Sequence, residues 1–449
     1  MNSIVPSRVM ARAASLARAR RAVVETGPSQ SRSKRRPKLN PAAAAAVTLG
    51  LAWAGAATAD DQASGTPATP PAAGAPATPA PPAAPAAPAA NPMPFPAMSA
   101  TLAANGAPAV FDAGPILGKI MVDGVLSGTA LWQSNPQLNF YGRPTHDNYE
   151  DVSNAQVIVN KTDGPVQFYI QAGTYSIAAL GTPEYMSGTY DRKTFGFVPQ
   201  GFLKLVPNSS FSIEIGALPT LIGDEYTFSF ENYNIERGLL WGQEPAVSKG
   251  VQGNYTNGPW AISLAWTDGY YSDTYTAISG LITYTFKNSD TLTFAGEGQT
   301  GTSRRSSFVT PEQQNNGQIY NLIYTHTQGP WTISPYVQYS NSPNKAGVSS
   351  SGSTWGAAVL TKYSFTLELS LAGRVEYTGS NGAANLLGYG VNSNAWSITV
   401  TPTYKKGIFF VRGELSYVAV GSGAPGFMFN SDGLSSNQTR AVAEAGLIF

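Results

Sequence analysis

Residues 331–339 read WTISPYVQY, residues 355–363 read WGAAVLTKY, and residues 396–404 read WSITVTPTY. Each stretch opens on Trp and closes on Tyr, with apolar residues at alternate positions between them: Ile333 and Val337, Ala357 and Val359, Ile398 and Val400. The other positions include Thr332, Ser334 and Gln338, then Gly356, Ala358 and Lys362, then Ser397, Thr399 and Thr403. Side chains alternate faces along a strand, so each stretch has one apolar face with an aromatic at either end, about 26 Å apart. Tilted by roughly 40°, that face covers about 20 Å of height, close to the apolar band between the two aromatic girdles of an outer-membrane barrel. Trp331, Tyr339, Trp355, Tyr363, Trp396 and Tyr404 are the girdle candidates. On this parity Ile398→Arg should be costly and Thr399→Arg mild.

Composition agrees. Charged residues make up 12% of the 449, about half the usual roughly 25%. Apart from a short N-terminal run, no stretch approaches the roughly 20 apolar residues of a spanning helix. There is no cysteine, which excludes disulfides, thiolate metal sites and covalent haem attachment.

Residues 1–40 hold ten Lys or Arg and one acid, Glu25; an apolar run, Ala42 to Gly55, and Ala57-Thr58-Ala59 follow. This predicts a signal peptide over 1–59, with export to the outer membrane of a Gram-negative cell. Without it, Lys plus Arg falls from 28 to 18 and Asp plus Glu from 27 to 26, a balance of −8. Residues 60–109 are dominated by Pro and Ala and predict a disordered periplasmic linker. A flexible tail, a tether to the cell wall and a strand threading the lumen are three readings of it. The barrel is predicted over 110–449. Its last residue, Phe449, closes an alternating strand and is a candidate signal for the barrel-assembly machinery.

Alternation and turn residues predict an all-β, antiparallel, up-and-down transmembrane barrel of about sixteen strands, with seven tight turns on one side and eight longer loops on the other. Lys249 is an exception, falling on the lipid-facing parity of the sixth strand. A rim position, a bulge or a subunit interface would each account for it.

Parity puts Glu368, Arg374 and Glu376, then Arg412 and Glu414, then Arg440 and Glu444, on the inner wall of the last strands. Sixteen strands leave an aqueous lumen, where such charges can be solvated. The third long loop, 219–244, carries Asp224, Glu225, Glu231, Glu236 and Glu244 against Arg237. Folded inward, its acids would face Arg374, Arg412 and Arg440 across a gap, and that field would orient polar solutes. The competing reading keeps the loop outside as a cap, with local pairs Arg412–Glu414 and Arg440–Glu444. Inward Tyr169, Tyr175 and Tyr336 offer a sugar-stacking path.

Signals for chemistry are poor. His146 and His326 are the sole histidines, leaving little for a metal site or a Ser-His pair. Gly296 to Gly301 matches G-x-G-x-x-G but ends a strand with no helix after it, so the dinucleotide context fails. Ser342 and Lys345 match S-x-x-K in a Pro-containing loop, as chance allows. Asp147, Glu150 and Asp151 read as a solvated loop rather than a divalent-ion site. No catalytic residue, cofactor, metal or nucleic-acid partner is predicted.

Several segments resemble the putative β-barrel porin-2 (OmpL-like) family: Gly128 to Asn139 (GTALWQSNPQLN), Asn154-Ala155-Gln156, Phe211 to Glu225 (FSIEIGALPTLIGDE), Asn232 to Tyr255 (NYNIERGLLWGQEPAVSKGVQGNY) and Trp266-Thr267-Asp268-Gly269. The similarity spans roughly residues 115–449. Ala217 stands where a more polar residue is expected, and the Pro/Ala segment lies outside the pattern. The resemblance implies an outer-membrane channel without a defined substrate. The expectation is passive diffusion of small hydrophilic solutes or ions, with no reaction catalysed. The alternatives are a sugar-specific porin, or a non-conducting anchor or adhesin. Expected partners are outer-membrane lipid, lipopolysaccharide, the assembly machinery and, as a homotrimer, further copies of the chain.

Overall fold

The computed structural model describes residues 108–139 and 142–449. The predicted signal peptide and all but the end of the predicted linker lie outside them. Strands β1 (Ala109–Asp112), β2 (Lys119–Gln133), β3 (Asn148–Lys161), β4 (Val166–Tyr175), β5 (Gln200–Asn208) and β6 (Phe211–Pro219) come first. They are followed by β7 (Val247–Asn257), β8 (Trp260–Thr267), β9 (Ala277–Thr285), β10 (Thr291–Gln299), β11 (Gln318–Gln328) and β12 (Trp331–Ser342). The last are β13 (Gly352–Ser364), β14 (Leu369–Gly382), β15 (Asn394–Lys406), β16 (Phe409–Ser422) and β17 (Asn437–Ile448). Two short helices accompany them, α1 (Gly114–Leu117) and α2 (Ser187–Lys193).

Strands β2 to β17 form a closed antiparallel barrel of sixteen strands, each pairing with the next and β17 returning to β2. The barrel thus has the sixteen strands that alternation and turn residues predict. Closure leaves no open sheet edge, as a membrane requires. β1 pairs with the start of β2, Ala109 opposite Val122. The short connections carry residues suited to tight turns. In Asn257-Gly258 the glycine has φ +56°, a left-handed value that costs glycine little and other residues more. The eight long connections all emerge at the opposite end, the extracellular one by the usual rule.

The two barrel faces differ as the alternation predicts. Ile398 is 44% exposed and its neighbour Thr399 1%. Leu264, Val337, Val375 and Leu415 are likewise exposed apolar residues, part of an apolar belt of the kind that lipid covers. Trp331 stands opposite Tyr363, and Tyr339 opposite Trp355, at the two ends of β12 and β13. Trp396 stands opposite Tyr377. Tyr404 donates to Glu368 in the turn before β14, at 3.1 Å. That turn is longer than expected, and it moves Glu368 off the predicted inner wall: it lies outside the strand, 3.9 Å from Lys406.

Candidate functional site

The third long loop, L3 (220–246), crosses the lumen. Leu221 and Ile222 pack against Ala265, Leu281, Ala295 and Ile319 on β8 to β11. Tyr233 and Leu240 pack with Ile323, Tyr336, Ala358, Leu360 and Ala372 on β11 to β14. Phe228 meets Tyr175 of β4 edge-on, ring centroids 5.2 Å apart. Through these contacts L3 touches eight of the sixteen strands. Burying each such Leu, Ile or Phe contributes roughly 1.5–3 kcal/mol, enough to draw an aromatic-rich loop inward.

A loop inside a barrel must still satisfy its backbone hydrogen-bonding groups, and here the wall charges supply partners. Glu414 accepts from the N–H groups of Ile235 and Glu236 at 2.5 and 3.0 Å. Glu376 accepts from Leu239 and Leu240 at 3.0 and 3.3 Å. Arg412 donates to the carbonyls of Asn232 and Ser229 at 3.1 and 3.0 Å. Arg374 donates to the Glu236 carbonyl at 2.8 Å. Gly238 leaves room for Glu376, because a Cβ there would lie 2.1 Å from one of its carboxylate oxygens and the side chain would have to shift.

Side-chain pairs complete the fastening. Arg374 Nη1 lies 2.5 Å from Glu225 of L3, and its Nε 3.2 Å from Glu376. Arg440 binds Glu236 of L3 at 2.6 Å. Arg412 pairs with Glu444, whose other oxygen accepts from Ser127, Ser153, Asn154 and Ser229. The arginines 374, 412 and 440 are each about 1% exposed. The local pairs of the competing reading are not formed. Glu444 takes Arg412 rather than Arg440, because Arg412 and Glu444 are register partners on adjacent strands. The expected field across a gap is replaced by contact: loop acids and wall bases touch.

Other predicted site residues are placed differently. Arg237 is fully buried and donates to the carbonyls of Ile235 and Ser176. Glu231 is half-buried and belongs to none of the ion pairs found among the described residues. Tyr175 and Tyr336 belong to separate buried clusters, and Tyr169 stacks on Phe202 at 5.3 Å. The three do not adjoin as a stacking path. Lys249 sits at the long-loop end of β7, 3.8 Å from Asp268, paired also with Asp273 and over the Tyr271 ring at 4.1 Å. Its lipid-facing parity is therefore that of a rim residue. Asp151 accepts from the Ser187 N–H at the start of α2, at 2.5 Å. Among the described residues no group of three or more His, Asp or Glu is placed to hold a metal.

Three loop carboxyls carry a cost of burial. Desolvation pushes Asp224 up to about 7. It raises Glu184, in the second long loop, to about 7 against the opposing pull of Arg440. It holds Glu244 well above the usual carboxylate range, helped by the neighbouring Glu225 and Asp224.

At the other end of the barrel Phe449 exchanges backbone hydrogen bonds with Gly124, at 2.9 and 3.0 Å. Its ring lies over that glycine, where a Cβ would come within 2.4 Å.

The sequence matches one family model, "Putative beta-barrel porin-2, OmpL-like", over residues 119–449. The chain belongs to this porin family. No curated protein matches it. Among solved structures the porin is similar to OmpT, an outer-membrane protein of Vibrio cholerae, at 11% identity and a TM-score of 0.51, covering 76% of this chain and 100% of that one. It is similar also to an anion-selective porin from Comamonas acidovorans, at 10% identity and a TM-score of 0.50, covering 74% and 99%. At such identities the likeness is one of fold. Fold and family together place this porin in a Gram-negative outer membrane.

Sequence reasoning missed the loop-binding role of Asn154, Ser229, Asn232 and Asn234. Asn234 donates to Thr401 at 2.7 Å, and Asn232 to the Tyr226 and Phe228 carbonyls at 2.9 and 2.8 Å. The signal was available as a run of Asn and Ser among aromatics in a loop too apolar to stay in water.

Proposed function

We propose that this porin passes small hydrophilic solutes by passive diffusion, with L3 forming the narrowest part of the path. The observation that carries this reading is L3 itself, held across a wall of Ser, Thr, Asn, Gln and charged residues by Arg374–Glu225 and Arg440–Glu236. A polar wall is of use only where water or a polar occupant meets it. Buried carboxyls outnumber buried guanidinium and ammonium groups along wall and loop: Glu214, Asp224, Glu225, Glu236, Glu244, Glu297, Glu376, Glu414 and Glu444 against Lys204, Arg237, Arg374, Arg412 and Arg440. Asp224 and Glu244 join that excess as charges only as pH rises past neutrality, so a preference for cations over anions should grow with pH. Trimer assembly, lipopolysaccharide contact and recognition of Phe449 by the assembly machinery belong to the same proposal.

A second reading, a non-conducting anchor, is favoured by the near-complete burial of the wall charges. Swelling of proteoliposomes in a graded series of sugars separates the two. Swelling that is fast for a pentose and slow for a disaccharide supports diffusion past a constriction. No swelling from a correctly folded barrel leaves the anchor.

A further inference from the structure

A cavity of about 280 Å3 opens among the long loops, lined from the second loop by Tyr185 and Tyr190, from L3 by Trp241 and Glu244, and from later loops by Tyr270 and Phe308. Three of its rings are mutually near-perpendicular. Tyr185 and Phe308 are 5.0 Å apart at 75°, Tyr185 and Tyr190 5.9 Å at 81°, and Tyr190 and Phe308 6.1 Å at 84°. All three residues line the one cavity, so an organic ammonium seated there meets aromatic surface on more than one side, which suits both its charge and its apolar shell.

The charges around the cavity agree. Its lining contains Glu244 and no Lys, Arg, His or Asp. Glu244 is 6% exposed, and neither of its carboxyl oxygens has a hydrogen-bond partner. Burial keeps its proton on until a cation arrives, so an ammonium binds with release of that proton to solvent and binds more tightly at pH 9 than at pH 6. Glu184, between the lining residues Pro183 and Tyr185, has one oxygen in the same condition. Of the nearby cations, Arg440 is paired with Glu236, and Arg237 is turned to backbone carbonyls and lies 5.8 Å over the Trp241 ring. The Trp241 indole N–H has no acceptor, so one hydroxyl on the occupant has a donor waiting. A sugar, with many hydroxyls, would leave most of them unpaired against these apolar walls.

We propose that this cavity is a binding site for a small organic ammonium ion with an apolar body, held by the Tyr185–Tyr190–Phe308 rings beside Glu244. Binding is read directly, so that its outcome is separate from whether the barrel conducts. Choline and its uncharged isostere 3,3-dimethyl-1-butanol are titrated into the purified porin in detergent, followed by tryptophan fluorescence and calorimetry. Choline should bind at least roughly tenfold more tightly than the alcohol. Glu244→Gln should remove most of that preference and leave the alcohol's affinity unchanged. Phe308→Ala should weaken choline binding in a barrel whose heat-modifiable migration is intact. Equal affinity for the two compounds, or a choline preference that survives both substitutions, overturns the proposal.

Discussion

Arg412 on β16 stands opposite Glu444 on β17 in the strand register, and the two form an ion pair in the lumen with both side chains at 0% exposure. Removing one partner of a buried pair strands the other charge, which costs about 3–5 kcal/mol. Glu444→Ala should therefore lower the urea midpoint sharply. Arg412→Leu/Glu444→Leu should recover part of the loss, because no lone charge remains. Recovery is incomplete because the Asn232 and Ser229 carbonyls still lose their donor. A double-mutant cycle by urea unfolding checks this.

The buried loop carboxyls make stability depend on pH. Asp224 rises from 3.8 to about 7 and Glu184 from 4.5 to about 7 on folding, and Glu244 rises well above 4.5. A carboxyl raised on folding keeps a proton that the unfolded chain releases. It costs nothing below the unfolded value, and stability falls as pH climbs toward the folded value. The melting temperature in detergent should be lower at pH 8 than at pH 5. An equal or higher value at pH 8 contradicts the burial of these groups.

Ile398→Arg puts a charge on the lipid face and should cost about 2–4 kcal/mol if the residue lies near mid-membrane. Thr399→Arg is not the mild control that an open lumen would make it. Thr399 is 1% exposed and accepts from Arg374 at 3.4 Å, so a second guanidinium meets the first with no water between. Both variants should unfold at lower urea than the parent, whereas a tolerated Thr399→Arg would show a solvated lumen at that depth.

Gly124 leaves room for the terminal ring, and Gly124→Val should displace Phe449 and impair barrel closure. On cold gels the variant should show a larger unfolded fraction than the parent. Phe449→Ala in the same chain should relieve the clash but lose the ring, so the double variant should be no worse than Gly124→Val alone. Worse folding in the double variant would mean that the ring acts somewhere other than on Gly124.

The strands were legible because lipid demands strict alternation: from Trp331 to Tyr339 every outward residue is apolar, and no soluble contact competes. The charged positions were legible too, since parity alone puts Arg374, Arg412, Arg440 and Glu444 inside. What they bind was not. Nearness along one strand offers Glu414 to Arg412, whereas its partner Glu444 lies on the next strand, a relation set by register. Glu368 falls off the wall because the turn at 365–368 takes four residues and β14 begins only at Leu369. The largest difference is L3. Its acids suggested a field across water, but its aromatics drive it onto the wall, and the same charges become hydrogen-bond partners for its backbone.

The central claim is that L3, fastened to the wall, limits the lumen. Single-channel conductance in planar bilayers tests it most directly, comparing the porin with Arg374→Glu/Arg440→Glu, which sets like charges against Glu225 and Glu236. Folding of the variant is checked by circular dichroism and heat-modifiable migration. Small steps, or none, are expected from the parent and steps several times larger from the folded variant. Equal conductance from two folded barrels would contradict it.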